Sequence, residues 1–186
     1  DGVAIYANAA ESFAPPSPRA AGGPEPEESR QFEIGVRKEW REGRIRATLA
    51  AFQLDRENIA IPDDNGFTQQ VGDQRSQGIE LETAFDLPRG VKGVFVYAYT
   101  DSELTRFSEF IIVSQDPFIG VNFDRSGNSS AFAPEHLAGL WLSKRFGRGL
   151  QVAGGVRFVD DQFIAEDNVS TIDSHALVDA ALSYTV

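Results

Sequence analysis

The chain has no cysteine and no methionine, only two histidines, and no apolar run near the ~20 residues that a membrane-spanning helix needs. Each scarcity removes a class of function. Without cysteine there is no disulfide and no thiolate nucleophile or ligand; the lack is compatible with an oxidising compartment and does not identify one. His136 and His175 stand about 39 positions apart, with no metal-ligand spacing. No nucleophile elbow, phosphate loop or dinucleotide fingerprint is present. The sequence therefore points away from an enzyme and assigns no catalytic residue, metal site or cofactor. Cations are also in deficit, with 17 Lys and Arg against 28 Asp and Glu and a net charge of −11. That balance argues against a nucleic-acid partner, which needs clustered cations to neutralise phosphates. The opening "DGVAIYANAAESF" has neither a basic n-region nor an apolar h-region, so a mature form or an internal piece is expected.

What is present is alternation. From Gly78 to Leu87, Ile79, Leu81, Phe85 and Leu87 share one parity, while Glu80, Glu82 and Asp86 share the other. The same holds for Phe32, Ile34 and Val36 against Glu33, Arg37 and Glu39. Leu150, Val152, Val156 and Phe158 oppose Gln151, Ala153 and Arg157, and Val178, Ala180, Leu182 and Tyr184 oppose Asp179 and Ser183. Period two is the signature of a strand with two unlike faces. "TLAAFQL" and "VFVYAYT" break the rule with two apolar faces, which suits a covering plug, a bulge or an ordinary core.

About eight such segments follow one another, antiparallel because tight turns join neighbours. Short turns fall at 41–44, 87–91 and 147–149, and long loops at 13–30, 60–70, 105–131 and 164–173. In an up-and-down meander all the short turns lie at one end. Outer-membrane barrels have that asymmetry, and a spanning barrel is compatible with the composition because only alternate residues meet lipid. Several segments reach about 14 residues, long for a soluble sheet at ~5–6. Trp40 and Phe146 sit beside short turns, where an interfacial aromatic girdle belongs.

The block "SRQFEIGVRKEWREGRIRATLAAFQLDRENI", followed by "QVGDQRSQGIELE", closely resembles the barrel of TonB-dependent siderophore receptors. Arg30, Gln31, Glu33, Gly35, Phe52, Arg56, Asn58, Gly72, Arg75, Ser76, Gly78, Glu80 and Glu82 carry the match, with Pro134, His136, Trp141 and Asp179 matching later strands. The resemblance implies an all-β, antiparallel up-and-down transmembrane barrel of about 22 strands, of which residues 1–186 supply about eight. It implies the bacterial outer membrane and TonB-driven uptake of a ferric siderophore, with that complex as cargo and no cofactor. Implied partners are outer-membrane lipid and lipopolysaccharide, the plug domain, which this stretch lacks, and the TonB complex acting through the plug. By family order about a dozen strands precede residue 1 and about two follow Val186.

Site expectations follow. Arg37, Arg75, Glu80 and Glu82 are expected in the lumen, touching the plug or an anionic ferric complex, with Arg75 near enough to pair with Glu80 and Glu82. Phe107, Phe110, Phe118 and Phe123, in an unusually apolar loop, are expected to line a vestibule for cargo. "DDNG" (63–66) and "DRSGN" (124–128) are expected to be turns rather than calcium loops, and "PEPEES" (24–29) a solvated loop. Two other architectures compete. A self-contained eight-stranded barrel acting as adhesin or anchor must close on itself, and a soluble sandwich must cover its apolar faces with a second sheet.

Overall fold

The computed structural model describes residues 2–15, 25–62, 68–147 and 149–185, with the main chain alone described for 60–62 and 68–71. Among the described residues there are eleven strands: β1 (Val3–Ala14), β2 (Glu27–Trp40), β3 (Ile45–Pro62), β4 (Thr68–Leu87), β5 (Val91–Gln115), β6 (Phe118–Asp124), β7 (His136–Phe146), β8 (Leu150–Val159), β9 (Gln162–Phe163), β10 (Thr171–Ile172) and β11 (His175–Tyr184). The main sheet runs β1-β2-β3-β4-β5-β7-β8-β11, with β6 paired to the outer part of β5. Every pairing is antiparallel. β9 and β10 form a small separate hairpin.

The expected eight segments are the eight strands of the main path. The connections at one end are 41–44, a 3-10 turn at Pro88–Gly90, and the turn after Phe146. Left-handed backbone at Arg41, Glu42, Gly43, Arg89, Gly90 and Gly147 closes these turns. The other end is more ordered than a row of loops. β1 continues to Ala14 and β2 begins at Glu27, so Glu27, Glu28 and Ser29 are strand rather than solvated loop. β3 and β4 run to Pro62 and from Thr68, and "DDNG" falls outside the described residues. The expected 105–131 loop is largely a hairpin, since β5 extends to Gln115 and returns as β6. Its residues Phe110–Val113 are apolar on both parities, so the alternation that marks a half-buried strand is missing there.

Cross-strand register fixes which residues share a face. One row reads Ile5, Val36, Leu49, Leu81, Tyr97, Ala138, Phe158, Ala176, one residue from each of the eight strands, without a charge. The next row on the opposite face is Ala4, Arg37, Thr48, Glu82, Val96, Gly139, Arg157, Leu177. No second layer covers the apolar face among the described residues: Ile79 is 45% and Val178 80% exposed. A sandwich is therefore excluded. The registers run without a shift through 45–56 and 91–99, so the doubly apolar segments carry no bulge there.

Four glycines are paired directly with an aromatic ring on the next strand: Gly35 with Tyr6, Gly78 with Phe52, Gly93 with Phe85 and Gly155 with Trp141. At Gly35, Gly93 and Gly155 the ring lies in the space a Cβ would fill, and at Gly78 the Phe52 ring abuts that space while the Tyr99 carbonyl occupies it. This is aromatic rescue of strand glycine: the ring covers the backbone that glycine leaves bare. It explains why glycine recurs in strands it would otherwise weaken.

β1 and β11 stand at opposite ends of the sheet and do not pair among the described residues. The self-contained eight-stranded barrel is thereby disfavoured, because closure would require that pairing. Two open edges cannot persist in hydrocarbon. These residues expressed alone in detergent are expected to give no band that resists SDS and shifts on heating; such a band would mean that the edges can close. Gly78→Ala places a methyl against the Tyr99 carbonyl, whereas Gly35→Ala meets a ring that can turn aside. In the assembled barrel, Gly78→Ala is expected to destabilise by about 2 kcal/mol and Gly35→Ala by less, read from urea midpoints; the reverse order would contradict the register.

Candidate functional site

The polar face at mid-sheet gathers Glu33 and Arg37 on β2, Thr48 on β3, and Glu80 and Glu82 on β4. Arg37 Nε donates to Thr48 Oγ1 at 3.4 Å, and the Tyr6 hydroxyl donates to the Glu33 carboxylate. Further round, Lys92 pairs with Asp86 at 2.9 Å and Arg157 approaches Asp179 at 3.9 Å. Beside the carboxylates the same face turns apolar with Val94, Val96, Leu137 and Trp141, all about two-fifths exposed. Glu80, Glu82, Val96, Leu137 and Arg157 border a shallow concavity of about 440 Å³. The carboxylates thus stand beside an uncovered apolar patch on one face of the sheet.

Arg75 is not part of it. Its odd number places it with Ile79 and Leu81, and no bulge intervenes between 75 and 87. It therefore points away from Glu80 and Glu82 and binds Asp55 at 2.7 Å instead. With that correction a pattern appears on the apolar face. Just outward of the uncharged rows lies the rung Glu11, Arg30, Asp55, Arg75, Glu103, alternating in sign across five strands. Arg30 bonds Glu11 at 3.0 Å, and from the next row inward Gln53 donates outward to Asp55, while Gln77 in that row donates across to Asp101. Exposed pairs of this kind each contribute only about 0.2–1 kcal/mol. Their value here is positional, since charge begins where hydrocarbon ends.

The opposite boundary is marked by Trp40 and Phe146, with Lys38 and Lys144 lying 5.1 and 4.8 Å from the ring centroids. Both lysines reach from the apolar face toward the short-turn end, as snorkelling requires. Val91 to Tyr99 of β5 lie between the two boundaries, and a membrane-spanning strand tilted by about 45° needs ~9–11 residues. His136 lies at the outer rim of this face, its Nδ1 3.0 Å from the Tyr97 hydroxyl and its ring beside Tyr99.

At the long-connection end, the four phenylalanines do not converge. Phe107 is 3% exposed and, like Leu104, is buried at the base of the β5–β6 hairpin, so its ring cannot line an open vestibule. Phe118 at the tip is 66% exposed. Phe110 and Phe123 lie on opposite faces of the ribbon, and Arg125 stacks 5.0 Å from the Phe123 centroid while bonding Glu109. "DRSGN" is a turn, with Asp124 Oδ1 accepting the Ser126 amide at 2.9 Å. The hydroxyl and amide of Ser126 hold the Asp124 carboxyl below its usual range.

Beneath the hairpin a polar string anchors the following loop to the wall. Gln74 donates to Ser102 Oγ at 2.8 Å, and Ser102 donates to Ser130 Oγ at 3.0 Å. Ser130 N also donates to Ser102 O at 2.9 Å, and Leu104 N to Asn128 O at 2.9 Å. The loop after β8 joins from the far side through Asn128, whose Nδ2 donates to Glu166 O at 2.7 Å. Burial pushes the Glu166 carboxyl above its usual range, the largest of several influences on it. The partners in this string are up to 38 residues apart, and only the Ser and Asn content of the loops hinted at it.

The whole chain, residues 1–186, matches the family model "TonB dependent receptor-like, beta-barrel". It is 29% identical over 192 residues to the ferrichrome outer membrane transporter/phage receptor of Escherichia coli K12, covering 99% of this chain and 24% of that protein. Over 108 residues it is 38% identical to the metal-pseudopaline receptor CntO of Pseudomonas aeruginosa, covering 56% of this chain and 15% of that one. The crystal structure of the siderophore receptor PiuA from Acinetobacter baumannii superposes with a TM-score of 0.80 at 24% identity, over 99% of this chain and 28% of PiuA. The chain thus spans between 15% and 28% of the length of these relatives. With an uncharged belt between an aromatic and a charged boundary, and with a family model matched from end to end, the chain belongs to the TonB-dependent receptor β-barrel family of the bacterial outer membrane.

Proposed function

We propose that these strands form part of the wall of an outer-membrane receptor that takes up ferric siderophores, energised by the TonB complex through a plug domain. The observation that carries this reading is the eight-strand row with no charge, backed by a face bearing Glu33, Glu80, Glu82 and Arg37. One face suits hydrocarbon and the other a water-filled lumen, and the open edges at β1 and β11 call for further strands. The relatives named above include receptors for ferrichrome and for a metal-pseudopaline complex, which supports a chelated metal as cargo.

In this reading the plug rests on the apolar patch of Val94, Val96, Leu137 and Trp141, with Glu80, Glu82 and Arg37 as its polar contacts. Arg75 leaves that set and joins the outward rung, which meets the lipopolysaccharide headgroups. Phe110, Phe118 and Phe123 present apolar surface to cargo, on a hairpin that Phe107 anchors. The protein performs no covalent chemistry on the iron complex and needs no resident cofactor; transport is a matter of binding, release and plug movement.

Two experiments test it in the receptor containing these strands. Leu81→Arg places a cation in hydrocarbon and is expected to destabilise the barrel by about 2–4 kcal/mol, read as a lowered urea midpoint. Glu82→Arg, one position along, faces water and should leave the midpoint nearly unchanged. Equal losses would overturn the assignment of faces. Deleting residues 109–123, with Leu104 and Phe107 left in place, is expected to lower uptake of iron-loaded ferrichrome or ferrioxamine B by about tenfold at unchanged surface abundance, the loss of roughly 1.4 kcal/mol of binding. Unaltered binding and uptake would remove the hairpin from the cargo path.

A further inference from the structure

The loops that follow β6 and β8 are joined at Asn168 by a pair of short hydrogen bonds. Asn168 Oδ1 accepts the Ser129 amide at 2.8 Å, and Asn168 Nδ2 donates to the Ser129 carbonyl at 2.8 Å. Ser129 itself pairs with Glu103, so residues 128–130 lie beside β5 as a further strand would. The bonds from Ser130 N and to Asn128 O are directed at β5. Those of Ser129 are directed the opposite way, to the edge where the next strand of the sheet should be. The strand is absent there, because β7 begins only at His136 and β8 ends at Val159. The Asn168 carboxamide occupies that place, offering one acceptor and one donor in the manner of a peptide group.

The local chain is shaped for this task. Asn168 adopts φ +54°, a left-handed conformation that Asn tolerates better than most residues. Its amide donates to Ala165 O at 3.2 Å, and Val169 N donates to Asp167 Oδ1 at 3.1 Å, so the turn presenting the carboxamide is itself held. Phe132 N donates to Phe163 O at 2.8 Å, a second junction between the loops. Phe132 has φ +56°, a strained state for an aromatic residue, yet its side chain is 65% exposed. Strain in an exposed aromatic residue has to be held by its surroundings.

We infer that Asn168 is a positioning residue that latches the loops after β6 and β8 into a single outer wall, and that this latch holds Phe132 in place at the mouth. The positioning role rests on the transport reading; the latch does not. Without the carboxamide, Ser129 loses both partners on its outer edge, and among the described residues the two loops are left tied at Asn128–Glu166, at Phe132–Phe163 and by the Ala131 amide on the Glu166 carboxylate.

Amide hydrogen exchange on the purified receptor in detergent tests the latch. In Asn168→Ala, exchange across residues 128–132 is expected to rise by about tenfold, while exchange in β3 and β4 stays unchanged. Asn168→Asp keeps the size and the left-handed tolerance but cannot donate to the Ser129 carbonyl when ionised, so it is expected to behave like the Ala variant. Unchanged exchange at 128–132 in Asn168→Ala, or protection in Asn168→Asp equal to the unmodified receptor, overturns the latch. The positioning role is read from uptake of iron-loaded ferrichrome or ferrioxamine B. A half-saturating concentration raised several-fold at unchanged maximal rate supports it, and an unmoved half-saturation with raised exchange overturns it. If the unmodified receptor takes up neither complex, the siderophore reading fails and the positioning role fails with it, while the exchange result still decides the latch.

Discussion

A side chain in this sheet meets one of two solvents, and a period of two decides which. No interior layer is available to absorb an error. A residue of the wrong kind on one face places a charge in hydrocarbon, at a cost of about 2–4 kcal/mol near the midplane. Ile79, Leu81 and Phe85 can therefore share β4 with Glu80, Glu82 and Asp86 only if pairing on both sides keeps strict step. The register does so through the whole belt. Its shifts occur outward of it, at Arg56–Ala60 on β3 and at Asp73–Gln74 against β5, where water can satisfy a freed amide.

The same constraint explains the edges and the glycines. A sheet surrounded by lipid cannot leave peptide groups unpaired, so the bare flanks of β1 and β11 make sense only as seams within a larger barrel. Glycine lets one strand approach the next closely, and the rings of Tyr6, Phe52, Phe85 and Trp141 then cover the exposed backbone. Bulk removed from one strand is returned by its neighbour, which keeps both faces filled where no core exists to do it.

Outside the belt, pairing rules relax and the wall is built from other parts. β5 and β6 continue it as a hairpin, residues 125–130 as an irregular segment, and residues 160–168 as a loop whose Asn168 takes the part of a peptide. Hydrogen-bond demand continues beyond the membrane, but any donor and acceptor suitably placed can meet it. Such a rim can vary in sequence and shape on a constant barrel, which suits a family whose members carry different cargo.

Much was legible from the sequence alone. Alternation is local, so the two faces of β2, β4, β8 and β11 could be read residue by residue, and connection lengths alternating between short and long implied the meander. The block around Glu33, Gly35, Arg75, Gly78 and Glu80 carried the family. What the sequence could not settle depends on partners distant along the chain. Arg75 was expected inside, within reach of Glu80 and Glu82; parity and register put it outside, on Asp55. The charged rung needs five strands in register before it exists. The 105–124 segment hid its strands because both parities are apolar, and Phe107 became a buried anchor only once β6 folded back above it. Asn168 gave no signal, since a two-point bond to a residue 39 positions away is created by the fold and by nothing local.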